Sequence, residues 1–197
     1  MNVKLKIALA SNNTKKLIEL QSLLPPIYEL QSIGDYDSPE ETGTTFVENA
    51  IIKARHVAQL SHLPTIADDS GLEVDALKGQ PGIYSSRFAG PSASDKDNNE
   101  KLLEDLAGVS PELRSARFQC VIVFLRHALD PMPVIAAGTW EGQILERPQG
   151  ENGFGYDPLF FIPEMKKSSA ELSSQEKNKV SHRAKALLDL YAQLSKT

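Results

Sequence analysis

The pattern that most restricts the fold is an alternation of strand-like and helix-like segments in the first half of the chain. Residues 3–10 alternate apolar and polar positions and then become continuously apolar, as a strand entering a core does. Residues 14–24 and 45–60 repeat apolar positions with helical spacing. Two long strand-like runs, 115–128 and 132–145, follow with a short turn between them, which indicates a hairpin. We therefore predict a mixed α/β fold.

The other segments receive shorter predictions from the same periodicities and from turn residues. Strands are predicted at 29–33, 64–67 and 159–162, helices at 95–109 and 173–194, and loops at 35–44 and 79–94.

Composition limits the class of protein. The chain has 197 residues, 41% of them hydrophobic and 24% charged, which fits a single globular domain spanning 1–197. Its one cysteine, Cys120, excludes an internal disulfide and indicates a reducing, cytoplasmic setting. Neither a signal peptide nor a membrane span is indicated. A net charge of -5 argues against a nucleic-acid-binding surface but leaves room for a small anionic ligand.

The first candidate site is the loop "SNNTKK" between the first strand and the first helix. Ligands collect at this position in open α/β sheets, because helix N-termini offer free N–H groups there. Lys15 and Lys16 fall in the first helical turn, where cations are disfavoured by about 0.3–1 kcal/mol each. An anionic ligand would remove that conflict. The alternative is a capped surface helix with solvated lysines.

The second candidate is the pair Asp68 and Asp69 at the end of an apolar run. Successive side chains of an extended segment point to opposite faces, so both face one site only if the backbone turns, and Ser70-Gly71 would allow a turn. A hard cation such as Mg²⁺, or a role as base, would justify two carboxylates there. The alternative is a turn or helix cap in which the aspartates accept backbone hydrogen bonds.

Two further segments supply charge near the second helix. Glu40 and Glu41 are potential oxygen ligands, although acidic loops are commonly just solvated. Lys53 interrupts the apolar face of the helix; it either extends to solvent or points toward the carboxylates and holds a phosphate.

The C-terminal third carries an aromatic motif and a basic run. In "GFGYDP", Phe154 and Tyr156 alternate with glycines, which suits stacking on a nucleobase or a tight turn before a strand. The run "EKNKVSHRAKAL" contains Lys177, His182 and Arg183, donors suited to a base carbonyl or phosphate, or else a solvated helical face.

Six motifs together resemble the inosine/xanthosine triphosphate pyrophosphatase family, and bacterial members in particular. They are "SNNTKK", "EETGTTFVENAIIKARHVA", "ADDSGLEVDAL", "PGIYSSRFAG", "GFGYDPLFF" and "SHRAKAL", in the family's order. The resemblance implies two lobes around a long central mixed sheet, a substrate cleft between the lobes and a homodimer. It implies Mg²⁺-dependent hydrolysis of ITP, dITP and XTP to the monophosphate and pyrophosphate.

The resemblance also assigns roles to residues of this chain. Asp69 is expected to be the catalytic base and a metal ligand, with Glu41 as second ligand and Lys53 as a catalytic phosphate contact. The expected substrate-binding residues are Ser11, Asn12, Asn13, Thr14, Lys15, Lys16, Ser70, Phe154, Gly155, Tyr156, Asp157, Lys177, His182 and Arg183. Many relatives begin the first loop with T-G-N where this chain has Ser11-Asn12-Asn13, and Asn tolerates positive φ better than most residues.

The expected mechanism has water attacking the α–β phosphate linkage after a carboxylate removes its proton. A donor from His182 or Arg183 facing the purine O6 would disfavour adenine, which carries an amino group there. The competing functions are a nucleotide sensor without turnover, a nucleic-acid-binding module and a pyrophosphatase for modified pyrimidines.

Overall fold

The computed structural model describes residues 4–195, except the side chain of Lys15. The strands β1 to β7 in that range are Leu5–Leu9, Tyr28–Gln31, Thr65–Val74, Ser115–Leu125, Val134–Ile144, Phe160–Ile162 and Lys167–Ser168. The helices α1 to α5 are Thr14–Leu23, Phe46–Ser61, Asp95–Asp105, Ser174–Val180 and His182–Leu194. Short 3₁₀ helices occupy Asp75–Leu77, Gly82–Arg87, Pro111–Leu113 and Ser169–Glu171. None of the helices in this part of the chain is long and apolar enough to cross a bilayer.

The strands form one seven-stranded sheet in the order β2-β1-β3-β4-β5-β6-β7. Strand β1 pairs in parallel with β2 and with β3, whereas β6 pairs antiparallel with β5 and with β7. The mixed α/β fold is thereby confirmed. Strands β4 and β5, predicted as a hairpin, are neighbours in the sheet.

The chain divides into two compact units. Within the described range, the first comprises residues 4–69, 120–138 and 182–195, and the second comprises residues 70–119 and 139–181. The prediction of a single domain over 1–197 stays a prediction.

The first unit has an apolar cluster on each face of its part of the sheet. Ile7 and Leu9 of β1 pack with residues of α1 and α5, whereas Ala8 and Ala10 pack with the small residues of α2. This division follows from the strand pleat, which sends successive side chains to opposite faces. Helix α2 is fixed at its start by a capping box between Thr45 and Glu48.

Strand β3 is longer than the predicted 64–67 and does not turn at Ser70-Gly71. It continues to Val74, with Leu72 and Val74 fully buried in the core of the second unit. Burying two aliphatic side chains at alternate positions favours an extended backbone over the turn we predicted there, so that prediction is wrong. The second unit's core also contains Trp140 and Phe160, with ring centroids 5.2 Å apart.

The C-terminal segment is two helices, and the single helix predicted at 173–194 is wrong. Ser181 has an extended backbone (φ -66°, ψ 156°) that ends α4 and lets α5 begin at His182. The break places His182 and Arg183 in the first turn of α5, where both side chains are buried.

Candidate active site

The loop before α1 is held by its own polar side chains. Asn13 Oδ1 accepts a hydrogen bond from the Lys16 N–H at 3.3 Å, and the Asn13 carbonyl accepts one from Leu17, so Asn13 caps the helix as predicted. Ser11 Oγ accepts from the Asn13 N–H at 3.1 Å. Neither Asn12 nor Asn13 is among the residues with positive φ, so the loop forms without the glycine found in relatives.

Lys16 lies in the first turn of α1, and a carboxylate of the protein offsets its charge there. Its Nζ lies 2.9 Å and 3.1 Å from the two oxygens of Asp68, whose side chain is fully buried. Arg183 lies on the other side of this carboxylate, with Nε 3.5 Å from Asp68 Oδ2 and Nη1 2.8 Å from Glu19 Oε2. Burial would raise the pKa of Asp68, but the charges of Lys16, Arg183 and Lys53 outweigh it and hold that pKa far below the usual value.

Asp69 emerges on the opposite face of β3 and meets a different lysine. Lys53 Nζ of α2 lies 2.6 Å from Asp69 Oδ1 and 3.2 Å from Glu41 Oε1, so one ammonium bridges two carboxylates. Burial opposes the charged form of Lys53, yet Asp69, Asp68 and Glu41 together raise its pKa. Burial also raises the pKa of Asp69, with smaller contributions from Glu41 and Asp68, despite the opposing charge of Lys53.

Some of these groups line a cavity of about 250 Å³ within the first unit, whereas Asp69 is not among its lining residues and reaches it through its ion pair with Lys53. Predicted site residues in its lining are Ser11, Asn12, Asn13, Lys16, Glu41 and Lys53. Asp68 also lines it, so residues of four separately predicted segments meet in one place. Thr14 is the exposed first residue of α1, and the side chain of Lys15 lies outside the described part of the structure.

The carboxylates next to Lys53 fit a hard cation. Asp69 Oδ2 is buried and has no hydrogen-bond partner among the described residues, which is costly unless a ligand binds it. No group of three or more His, Cys, Asp or Glu in residues 4–195 is arranged to hold a metal. Mg²⁺ does not need such a group, because it commonly binds through one or two carboxylates, waters and substrate phosphates. Asp69 and Glu41 supply such a donor set.

The aromatic motif at 153–158 lies in the second unit, where Asp157 makes several hydrogen bonds. Asp157 accepts hydrogen bonds from Lys177 Nζ at 2.5 Å, the Phe154 N–H at 2.9 Å and Ser169 Oγ at 2.8 Å. Lys177 Nζ also lies 5.2 Å from the centre of the half-buried Phe154 ring. Asp157 therefore holds the turn together through these hydrogen bonds. The face of the Phe154 ring lies beside the ammonium of Lys177.

Two other predicted residues of this segment have internal partners. Tyr156 is buried in the core, and its hydroxyl donates to the Ser85 carbonyl at 2.8 Å, so its ring is not an open stacking surface. The Gly155 N–H donates to Asp95 Oδ2 at 2.7 Å. Ser70 is half-buried in β3. The substrate-binding roles of these residues stay predictions.

Sequence reasoning missed an ion-pair partner of Arg183 outside the cavity lining, and it missed three residues of the lining itself. Glu19, the ion-pair partner of Arg183, looked like an ordinary polar residue of α1, and no local signal links residues 164 positions apart. Tyr36, Ser38 and Pro39 also line the cavity. An aromatic residue inside an acidic loop was the one signal that could have identified Tyr36.

The fold and site together define a mixed α/β protein in which two lysines and two carboxylates line one cavity. The chain belongs to the Ham1 family, whose family model matches residues 7–193. It is 56% identical over 193 residues to a dITP/XTP pyrophosphatase of Vibrio parahaemolyticus serotype O3:K6, covering 96% of each chain. It is 53% identical over 186 residues to the enzyme of that name from Escherichia coli O157:H7, covering 92% of this chain and 94% of the other.

Solved structures agree with this membership. A HAM1 protein from Coxiella burnetii has a TM-score of 0.88 and 48% identity, with coverage of 98% of this chain and 100% of that one. The Ham1 protein of Staphylococcus aureus has a TM-score of 0.86 and 44% identity, with coverage of 97% and 98%. The resemblance carried by the six motifs is thereby confirmed.

Proposed function

We propose that this chain hydrolyses ITP, dITP and XTP to the nucleoside monophosphate and pyrophosphate. The observation that carries the proposal is the ammonium of Lys53 bridging Asp69 and Glu41 beside the loop at 11–16. This set combines phosphate-binding cations, a base and hard oxygen ligands in one place. The names of relatives that match over nearly the whole chain support the same reaction.

In the proposed mechanism, substrate phosphates replace the carboxylates of the protein that pair with Lys16 and Lys53. Lys16 and Lys53 would donate to phosphate oxygens and stabilise the charge that develops there. Asp69 Oδ2 already has no hydrogen-bond partner among the described residues, and Oδ1 would be released when Lys53 donates to phosphate, so Asp69 would have an oxygen to accept a proton from the attacking water. Burial raises the Asp69 pKa above the ordinary value, which suits a carboxylate that accepts a proton from water.

Asp69 and Glu41 are the side chains that we propose for Mg²⁺. The ion would neutralise phosphate charge when bound. The charge balance is consistent with such an ion: the ion-paired groups in and next to the cavity comprise three cations and four carboxylates, a net charge of -1 when all are ionised. The cations are Lys16, Lys53 and Arg183, and the carboxylates are Glu19, Glu41, Asp68 and Asp69.

For base selection we propose a donor from His182 or Arg183 facing the purine O6. Both side chains are buried at the start of α5, and a desolvated donor strongly disfavours the amino group that adenine carries at that position. We further propose that Phe154 and Lys177 contact the nucleotide, that the enzyme is a homodimer and that it acts in the cytoplasm. Cys120, the one cysteine of the chain, is buried and is compatible with a reducing compartment.

The test is to incubate the purified protein with dITP and Mg²⁺, with dATP and dGTP in parallel, and identify the phosphorus products by ³¹P NMR. We expect pyrophosphate and dIMP from dITP, little product from the controls and none after chelation. The Asp69→Asn variant should be inactive, whereas Asp105→Asn, an equal charge change on exposed α3, should be as active as the parent. Orthophosphate as the first product, or binding without turnover, would contradict the proposal. Light scattering of the same sample tests the dimer.

A further inference from the structure

Tyr36 lines the cavity together with Lys16 and Lys53, and the proposed mechanism does not use it. It lies in the loop between β2 and α2, and its carbonyl accepts a hydrogen bond from Asn12 Nδ2 at 3.3 Å. Its side chain packs against the alanine-rich cluster formed with α2. The His56 ring lies 5.9 Å from the Tyr36 ring, centroid to centroid, at an interplanar angle of 38°. The hydrogen bond to its carbonyl and the packing of its ring therefore both fix the position of Tyr36.

The hydroxyl of Tyr36 is a donor without a partner. It makes no hydrogen bond to any other described residue. Lys53 lines the same cavity, and the charge of that lysine acts to lower the Tyr36 pKa. Burial acts more strongly and raises the pKa above the ordinary value, so the phenol keeps its proton at neutral pH and can donate it in a hydrogen bond.

A neutral hydrogen-bond donor is useful for phosphate binding in this cavity, because its cations are already paired with carboxylates. Each lysine that lines it is already engaged by a carboxylate, as Lys16 is by Asp68 and Lys53 by Asp69 and Glu41. A polyphosphate entering this cavity must displace those carboxylates or find uncommitted donors. A hydroxyl with no internal partner can bind a phosphate oxygen without losing an existing hydrogen bond.

The size of the cavity indicates which part of the substrate it accepts. Its volume of about 250 Å³ is below the roughly 300–1,000 Å³ of pockets that enclose drug-sized ligands. It suits a diphosphate better than a whole nucleotide.

We propose that Tyr36 is a substrate-binding residue whose hydroxyl donates a hydrogen bond to the part of the triphosphate that leaves as pyrophosphate. The inference deepens the proposed function and rests on it for the identity of the substrate. Tyr36 and Lys53 line the same cavity, so a neutral donor and a cationic donor would bind the same polyanion.

The experiment is calorimetric titration of inorganic pyrophosphate, at fixed Mg²⁺, into the full-length protein and two variants. Tyr36→Phe removes the hydroxyl and keeps the ring, whereas Tyr28→Phe makes the same change on β2, away from the cavity lining. A hydrogen bond to a charged group predicts about tenfold weaker binding for Tyr36→Phe. We expect Tyr28→Phe to bind like the parent, and the KM of Tyr36→Phe for dITP to rise with little change in kcat.

Each other outcome overturns the proposal. Equal pyrophosphate affinity of Tyr36→Phe and parent excludes the hydrogen bond. Weaker dITP binding with unchanged pyrophosphate binding places Tyr36 on another part of the nucleotide. A parent protein that binds no pyrophosphate excludes a diphosphate site in this cavity. Two different assays separate this proposal from the proposed function. Absence of dITP turnover would contradict the proposed function, whereas the role of Tyr36 is tested by pyrophosphate binding.

Discussion

The neighbouring residues Asp68 and Asp69 should respond in opposite ways to the same substitution. Asp68 is a fully buried carboxylate between Lys16 and Arg183, and its lowered pKa means that folding favours its charged form. Asp69 has a raised pKa, so folding disfavours its charge even with Lys53 beside it. We therefore expect Asp68→Asn to destabilise the protein and Asp69→Asn to abolish turnover with little loss of stability.

The magnitude for Asp68 follows from its burial. Removing one partner of a buried ion pair leaves uncompensated charge and costs about 3–5 kcal/mol. In a domain of this size, each kcal/mol lowers the melting temperature by about 2–4 °C, so Asp68→Asn should melt about 6–20 °C below the parent. Because the folded pKa is lowered, the contribution of Asp68 is fully present above its ordinary pKa of 3.8 and is lost as the pH falls below it.

The assay is equilibrium unfolding in urea at pH 7, with thermal melts in parallel. Asp105→Asn is the matched control, since its ion pair with Lys101 on α3 is partly exposed and such pairs contribute at most about 1 kcal/mol. We expect Asp69→Asn to lie within about 1 kcal/mol of the parent. A loss below 1 kcal/mol for Asp68→Asn, or equal losses for both variants, would refute the assignment of different roles to the two aspartates.

Three other predictions concern the same unit. Glu41→Gln removes a charge that raises the Asp69 pKa, so the acid limb of the pH profile of kcat/KM for dITP should move to lower pH. An acid limb at the same pH as in the parent would show that titration of Asp69 does not cause it. Lys16→Ala should raise the KM for dITP about tenfold or more, and unchanged steady-state kinetics would show that Lys16 only pairs with a carboxylate of its own protein. Gly138→Ala places a methyl group against the backbone at His182, which cannot move aside as a flexible side chain would, so it should cost about 1–3 kcal/mol in urea unfolding; a smaller loss would mean that α5 shifts freely.

The sequence predicted the regular elements well because their signals are local. The apolar spacing of α1 and α2 and the Asn13 cap concern residues at most four positions apart. The alternation rule also correctly required the two aspartates to face apart unless the chain turned. The turn itself was wrongly predicted, because Ser-Gly permits a turn and the burial of Leu72 and Val74 decides against it.

The contacts between distant segments were not predictable in this way. The basic run at 177–185 was predicted to lie on one helix, as substrate-binding donors or as a solvated face, yet Ser181 ends the first of two helices there. Arg183 is almost fully buried against Glu19 and Asp68. A buried guanidinium needs partners, but only the folded chain shows which ones. The cavity residues Tyr36 and Ser38 were missed for the same reason, since a loop carries no periodicity that marks its inner side.

The division of labour within β3 also constrains how this strand can change over time. A single-residue insertion or deletion between the paired start of β3 and Asp68 would turn every following side chain to the other side of the sheet. The carboxylate that belongs with Lys16 would then face Lys53, and the aliphatic residues that follow would lose their core positions. An insertion or deletion of one residue here is therefore not tolerated, because it reverses which face of the sheet each later side chain occupies. In this short segment the number of residues is constrained as well as their identity.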